Sequence, residues 1–229
     1  MILDTDFQHD YVTLTLPGKI SQILLERNYS PERMIALAAK VYRDELCKAL
    51  KIPLNESRVH KPGIFATVYK CGTSLNYNPH VHLVGTRELI NTETGENLKT
   101  NFISYKSFRF AWMNSFCKHR VKEIIISPEK VIQIKQKYKN GFHVYFQPIR
   151  GDNNEILFRT LEYIAIGSFH NSQILKVDHD SKKVIFRYKS WVDRNTGKKS
   201  YRVITLDIYQ FIDKMLYFLS EPGRKMIRY

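Results

Sequence analysis

The sequence predicts an α+β protein: a central antiparallel sheet flanked by helices, followed by a basic β-hairpin and a C-terminal helix. Three observations predict it. Short β-branched or alternating runs are set apart by turn residues, as in Tyr11–Leu16 before Pro17-Gly18 and Ile64–Tyr69 before Gly72. Two Ser-Pro-Glu triplets, at Ser30 and Ser127, mark helix starts: a capping serine, proline in the first turn, then an acid near the positive end of the dipole. Finally, two consecutive strands are joined by the short connection Gly72–Asn78, and such strands are most simply antiparallel neighbours.

In order, Tyr11–Leu16 reads as a central strand and Lys19–Arg27 as a short helix. From Ser30, the residues Met34, Leu37, Ala38, Val41, Tyr42 and Leu46 keep helical spacing, so a helix runs to about Lys51 with one face on a sheet. Ile64–Tyr69 is a second strand, and a third starts at Pro79 and runs apolar through Val84. Arg87–Asn101 is polar and turn-rich and reads as a loop. Ser104–Arg120 is helical, with Tyr105, Phe108, Trp112 and Phe116 on one core-facing stripe. A short basic helix over Val131–Tyr138, a strand Phe142–Ile149 and a helix from Glu155 to about Ile166 complete residues 1–170, the expected core domain. Residues 171–229 are expected to form a second unit packed on it. There, Val184–Lys189 and Tyr201–Leu206 alternate around the turn Asn195-Thr196-Gly197, which predicts a hairpin with one basic face (Arg187, Lys189, Lys198, Lys199, Arg202) and interleaved Phe186, Tyr188, Trp191 and Tyr201. Such a surface suits backbone contact and base stacking on single strands; its bland alternative is an amphipathic hairpin with buried aromatics. Asp207 caps a final helix that ends at Pro222-Gly223.

Composition bounds the function. Lys+Arg number 36 against 22 Asp+Glu, a net charge of +14 that favours a polyanionic partner, most often nucleic acid. Three scattered cysteines argue against a disulfide framework and a cysteine-rich zinc site, and suit a reducing compartment. No apolar run is long enough to span a bilayer and the start is not a signal peptide, so a cytoplasmic, nucleoid-associated protein without a membrane partner is expected.

The sharpest motif is Asn78-Pro79-His80-Val81-His82-Leu83-Val84. Side chains alternate along a strand, so His80 and His82 share a face and can hold one metal ion. The bare pattern is weak: with 8 histidines, His-x-His arises by chance about 0.28 times in a chain of this length. Two strand histidines bonded to their neighbours are the bland alternative.

Context adds a resemblance. A strand ending in Leu16-Pro17, then Gly72, then the His80-Val81-His82 strand resembles the HUH single-strand DNA endonucleases. Among these the chain is similar to the rolling-circle insertion-sequence transposases that carry two tyrosines. Thr160-Leu161-Glu162-Tyr163-Ile164-Ala165 is similar to that family's tyrosine helix, Ile185-Phe186-Arg187-Tyr188-Lys189 to its Phe-Arg-Tyr-Lys strand, and Ile227-Arg228-Tyr229 to its tail. The resemblance implies a HUH-type nuclease core and a DNA transposase that nicks and rejoins single-stranded or hairpin DNA through a 5′-phosphotyrosine on Tyr163. It implies a divalent ion (Mg2+ or Mn2+) on His80 and His82 and allows a homodimer. Arg159, one helical turn before Tyr163, can hold a phosphate or pair with Glu155. The third metal ligand is open among Glu162, His170, His9 and His143, with His170 preferred because it lies just past the helix.

The chain departs from the family's pattern. The family's second tyrosine is missing from Tyr163-Ile164-Ala165-Ile166-Gly167, Tyr69-Lys70-Cys71-Gly72 lacks the histidine often found there, and no N-terminal cysteine-rich zinc module is expected. A second reading is therefore a relic or accessory protein of the same element that binds DNA without cleaving it. A third, hydrolysis by metal-activated water, is disfavoured because no carboxylate pair stands near the histidine strand.

Overall fold

The computed structural model describes residues 8–53, 55–100, 102–149, 154–166, 169–192, 196, 198–216 and 227–228. Within these, the side chains of 154, 156, 163–166, 191, 192, 227 and 228 lie outside the description. The elements run β1 (His9–Leu14), α1 (Gly18–Glu26), α2 (Arg33–Ala49), β2 (His60–Lys61), β3 (Ile64–Cys71), β4 (Tyr77–Thr86), β5 (Glu88–Asn91), β6 (Asn97–Lys99), α3 (Tyr105–Lys122), α4 (Pro128–Lys137), β7 (Val144–Ile149) and α5 (Asn154–Ile166). There follow β8 (Ile174–Asp178), β9 (Lys183–Val192), β10 (Lys199–Asp207), α6 (Ile208–Leu216) and β11 (Ile227–Arg228). The expected α+β class holds. The main sheet is antiparallel throughout, in the order β11-β3-β4-β1-β7. The chain's last described strand thus returns to the sheet's edge, with Ile227 opposite Thr67.

One face of this sheet is the floor of the core. The two-residue period sends Val12, Leu14, Ala66, Val68, Val81 and Leu83 to that face, each at most 1% exposed. Against it pack Met34, Leu37, Ala38, Val41 and Leu46 of α2 and Phe108, Trp112 and Phe116 of α3. Tyr105, predicted on the same stripe, is instead 44% exposed, with the Arg109 guanidinium 5.8 Å from its ring centre.

The helix starts follow their caps. Ser104 Oγ accepts from Ser107 N at 3.2 Å and Ser127 Oγ from Lys130 N at 3.3 Å. Ser30 does not cap α2: its hydroxyl donates to the Glu32 carboxylate at 2.8 Å, that carboxylate pairs with Lys70 at 2.9 Å, and the helix begins at Arg33.

Two expectations are corrected. Arg87–Asn101 is not a loop: β5 and β6 form a hairpin that pairs with β2 in a small second sheet. Its turn is built locally, with Asn91 Oδ1 accepting from the amides of Glu93 and Thr94 and Gly95 at φ +75°, so short polar strands form without apolar alternation. The basic hairpin is three-stranded, in the order β10-β9-β8. β8 reaches β9 through a tight turn in which Asp178 Oδ1 accepts from Ser181 N at 3.0 Å. The predicted turn at Asn195 and Gly197 and the stop at Pro222-Gly223 lie outside the described residues.

β1 and β4 are pinned to one another by a buried ion pair. Arg87 Nη2 lies 2.7 Å from Asp10 Oδ1, and Arg87 Nε lies 2.9 Å from both carboxylate oxygens. Tyr42 Oη reaches the carbonyls of Gly85 and Thr86, each at 3.1 Å. Its ring lies so close to Gly85 that a Cβ there would stand 2.4 Å from Tyr42 Cε1. Gly85→Ala is therefore expected to destabilise the fold by about 1–3 kcal/mol in urea unfolding, and Tyr42→Leu in the same chain to recover part of that loss.

Candidate active site

The opposite face of the main sheet carries the histidines. β4 places His82 across from Thr13 of β1 and Thr67 of β3, and His80 across from Tyr69. By strand period, Tyr11, Thr13, Thr67, Tyr69, His80 and His82 share this face. The two imidazole centroids are 4.8 Å apart, and the Tyr69 ring lies 4.4 Å from that of His82 and 5.5 Å from that of His80.

Hydrogen bonds fix the ring nitrogens. Asn78 O lies 2.6 Å from His80 Nδ1; a carbonyl only accepts, so Nδ1 carries the proton and Nε2 keeps its lone pair. His82 Nδ1 lies 2.5 Å from Tyr11 Oη and 3.3 Å from Thr13 Oγ1. His82 Nε2 is buried and has no hydrogen-bond partner among the described residues. Burial lowers the pKa of His82 to about 3, with the neighbouring His80 adding to the effect, and burial also lowers that of His80 against the Asn78 carbonyl. Both rings are thus neutral near pH 7, the form that ligates metals. Two neutral rings on one face, one with a buried nitrogen that bonds nothing else, fit a divalent ion.

The third-ligand candidates are scattered. His170 is exposed and closes a short 3-10 turn at Asn171–Gln173, its Nδ1 accepting from Ser172 N at 3.2 Å. His9 shares the face but lies four residues along β1 from Thr13, roughly 13 Å away. His143 is exposed and gives its carbonyl to Thr15 at the far side of β1, roughly 10 Å from β4. Glu162 is exposed on α5. Among the described residues no three His, Cys, Asp or Glu side chains group so as to hold a metal.

Helix α5 packs on one end of the histidine face. Leu157 and Leu161, one turn apart, join Tyr11, Phe65, Val84 and Ile149 in a small apolar cluster. The backbone of Tyr163 lies in this helix, two residues beyond Leu161; its side chain is outside the described residues. Arg159 has a side chain 73% exposed and pairs with Glu155.

On the C-terminal sheet, Arg187 and Lys189 are exposed and share one face with Tyr201, which is 55% exposed; the Arg187 guanidinium lies 5.6 Å from the Tyr201 ring centre. Arg202 pairs with Tyr188 and so projects from the other face, which corrects the single basic face expected from spacing. Lys198 and Lys199 are exposed at the turn end. Phe186 is buried between Phe169 and Phe211 and is core, not a stacking surface. The sheet touches the connection before β4: Thr73 Oγ1 donates to Lys189 O at 3.3 Å, and Lys214 of α6 reaches Leu75 O at 3.5 Å.

Sequence reasoning missed Tyr11, Thr13 and Tyr69 as neighbours of the histidines. Nothing local marks them: Tyr11 meets His82 across 71 residues of chain, through strand pairing alone.

The depressed histidines make a pH prediction for metal-free protein. Their folded pKa values lie below the usual 6.5, so the unfolded chain binds more protons between that value and about 3 for His82. Stability is full above 6.5 and falls as pH drops through this window. In EDTA, His82→Gln is expected to flatten the slope of unfolding free energy against pH by about 1.4 kcal/mol per unit near pH 4.5, measured by urea unfolding.

No helix among the described residues is long and apolar enough to cross a membrane. No curated protein and no solved structure matches the chain. Residues 63–229, well over half of the sequence, match the family model Y2_Tnp, described as "Putative transposase". The match takes in the histidine strand β4, helix α5, the C-terminal sheet and the returning strand β11. The chain belongs to this family of transposases.

Proposed function

We propose that the protein is a single-strand DNA endonuclease of transposition that nicks and rejoins DNA through Tyr163, with a divalent magnesium or manganese ion on His80 and His82. One observation carries the reading: two neutral imidazoles, one with a buried and unbonded Nε2, lie on the sheet face against one end of which the tyrosine-bearing helix packs.

Each residue then has a task. The Asn78 carbonyl and the Tyr11 hydroxyl orient the imidazoles through Nδ1, leaving the two Nε2 atoms as the nitrogens that would hold the ion. When bound, the ion supplies Lewis-acid polarisation and charge neutralisation of a phosphate. The Tyr163 oxygen attacks phosphorus, forming the tyrosyl O–P bond as the P–O3′ bond breaks. The phenol's proton is balanced by the one taken up at the 3′ hydroxyl, and the 5′ phosphate stays on the protein. Reversal rejoins the strand without an external energy source, because one phosphodiester replaces another. Arg187 and Lys189, with the exposed Tyr201 ring, suit the same strand as cations beside a stacking surface.

The competing reading, binding without cleavage, draws on the lack of a third grouped ligand among the described residues. A denaturing gel separates the two. Labelled single-stranded DNA from the flanks of the encoding element, incubated with Mn2+, is expected to give a protein–DNA adduct. Tyr163→Phe and His80→Ala should each abolish it while leaving DNA affinity within about twofold. Tight DNA retention with no adduct from the unaltered chain establishes the binding-only reading instead.

A further inference from the structure

A groove lies between α1 and α4, on the core side of the main sheet and away from the histidines. It encloses about 440 Å3, within the range of small-ligand sites. Ile20, Ile23, Ile134 and Tyr138 line it with apolar surface. Lys19, Lys130 and Lys137 stand around it, together with the amides of Gln22 and Gln133. All three lysines are exposed, and none pairs with a carboxylate among the described residues. No acid lines the groove. Of the acids carried by these two helices, Glu26 is held by a groove residue, accepting from Gln22 Nε2 at 3.1 Å, and Glu129 interacts with its own helix cap at Ser127.

The chemistry of the lining selects its occupant. Three unpaired cations around an apolar floor attract an anion with an apolar body. An aromatic ring offers a stacking face, and the Lys137 ammonium lies 5.6 Å from the Tyr138 ring centre. The Gln133 side chain, an amide, can both donate to and accept from a base edge. A nucleotide within a DNA strand has this combination of a flat base and flanking phosphates. A wholly apolar peptide would leave the lysines unanswered.

The groove's place in the fold links it to the histidine face. α1 follows directly from the end of β1, and α4 leads into β7 through Gly141, whose amide donates to Tyr138 O at 2.9 Å. Leu14, the last residue of β1, pairs with Val144 of β7 and with Val81, which stands between the two histidines. The groove's two helices therefore adjoin the sheet end where His80 lies.

We infer that the α1–α4 groove is a subsite for one nucleotide of single-stranded DNA, with a base against Tyr138 and its neighbouring phosphates on Lys19, Lys130 and Lys137. The inference rests on the protein acting on single-stranded DNA but not on the nicking chemistry.

The test is fluorescence titration of a single-stranded oligonucleotide over a range of salt, together with cross-linking of the same oligonucleotide carrying 5-iodouracil at successive positions. Binding by the unaltered chain checks the underlying reading, and its absence defeats that reading and the subsite with it. With Lys19, Lys130 and Lys137 all changed to Gln, the slope of log K against log salt is expected to fall by about 1.4, the release expected of the two phosphates that flank one nucleotide of a single strand. Tyr138→Leu should weaken binding about 5- to 150-fold, whereas Tyr138→Phe should keep it. One iodouracil position should cross-link to Tyr138. The Tyr138 ring also packs on Phe142, with centroids 5.6 Å apart, so the lysine variant tests the site without touching the core. DNA bound by the unaltered chain with an unchanged slope in the triple variant and no cross-link at Tyr138 overturns the inference.

Discussion

The register of β4 between β1 and β3 is the constraint on which the rest depends. Side chains alternate with a period of two, so a slip of one residue would bury His80 and His82 in the core and expose Val81 and Leu83. The Asp10–Arg87 pair holds that register at one end of the strands, where Tyr42 also caps the carbonyls of Gly85 and Thr86. Burial pushes the Asp10 carboxyl above the usual range while the Arg87 guanidinium pulls it down. A charge pair this enclosed is costly to break from one side, since it leaves the other charge stranded.

From this register the sheet acquires two unlike faces. One is a continuous apolar floor under α2 and α3. The other is a mixed surface of tyrosines, threonines and histidines, closed over at one end by Leu157 and Leu161 of α5. A buried imidazole nitrogen without a partner, as at His82 Nε2, costs about 1–3 kcal/mol, which a cation held there would offset. Burial keeps both rings neutral near pH 7. The C-terminal sheet is tied to the same region through Thr73 and Leu75, in the connection that leads into β4.

Much of this was legible in the chain itself. The α+β class, β3 and β4 as antiparallel neighbours, the Ser104 and Ser127 helix starts and the Asp207 cap all rest on local signals: alternation, short links and capping side chains. The family resemblance at His80-Val81-His82 agrees with the transposase family found over residues 63–229. Other features were not legible because their causes are not local. The β5–β6 hairpin forms around an Asn91 turn with too little apolar alternation to announce a strand. β11 is two described residues that owe their strand form to β3, some 160 positions earlier. The split of Arg187 from Arg202 follows from pairing, with a register shift at Ser200 and Tyr201 that spacing cannot show. Tyr11 became a neighbour of His82 only through the β1–β4 register.

The central claim, that His80 and His82 together hold one divalent ion, has a direct spectroscopic test. Electron spin echo envelope modulation of the Mn2+-loaded protein, with 15N-labelled histidine, counts the imidazole nitrogens on the metal. Two directly coupled histidine nitrogens, falling to one in His80→Ala with the fold intact, is the predicted result. Manganese bound with no coupled histidine nitrogen, or with coupling unchanged when both His80 and His82 are replaced, would contradict the account.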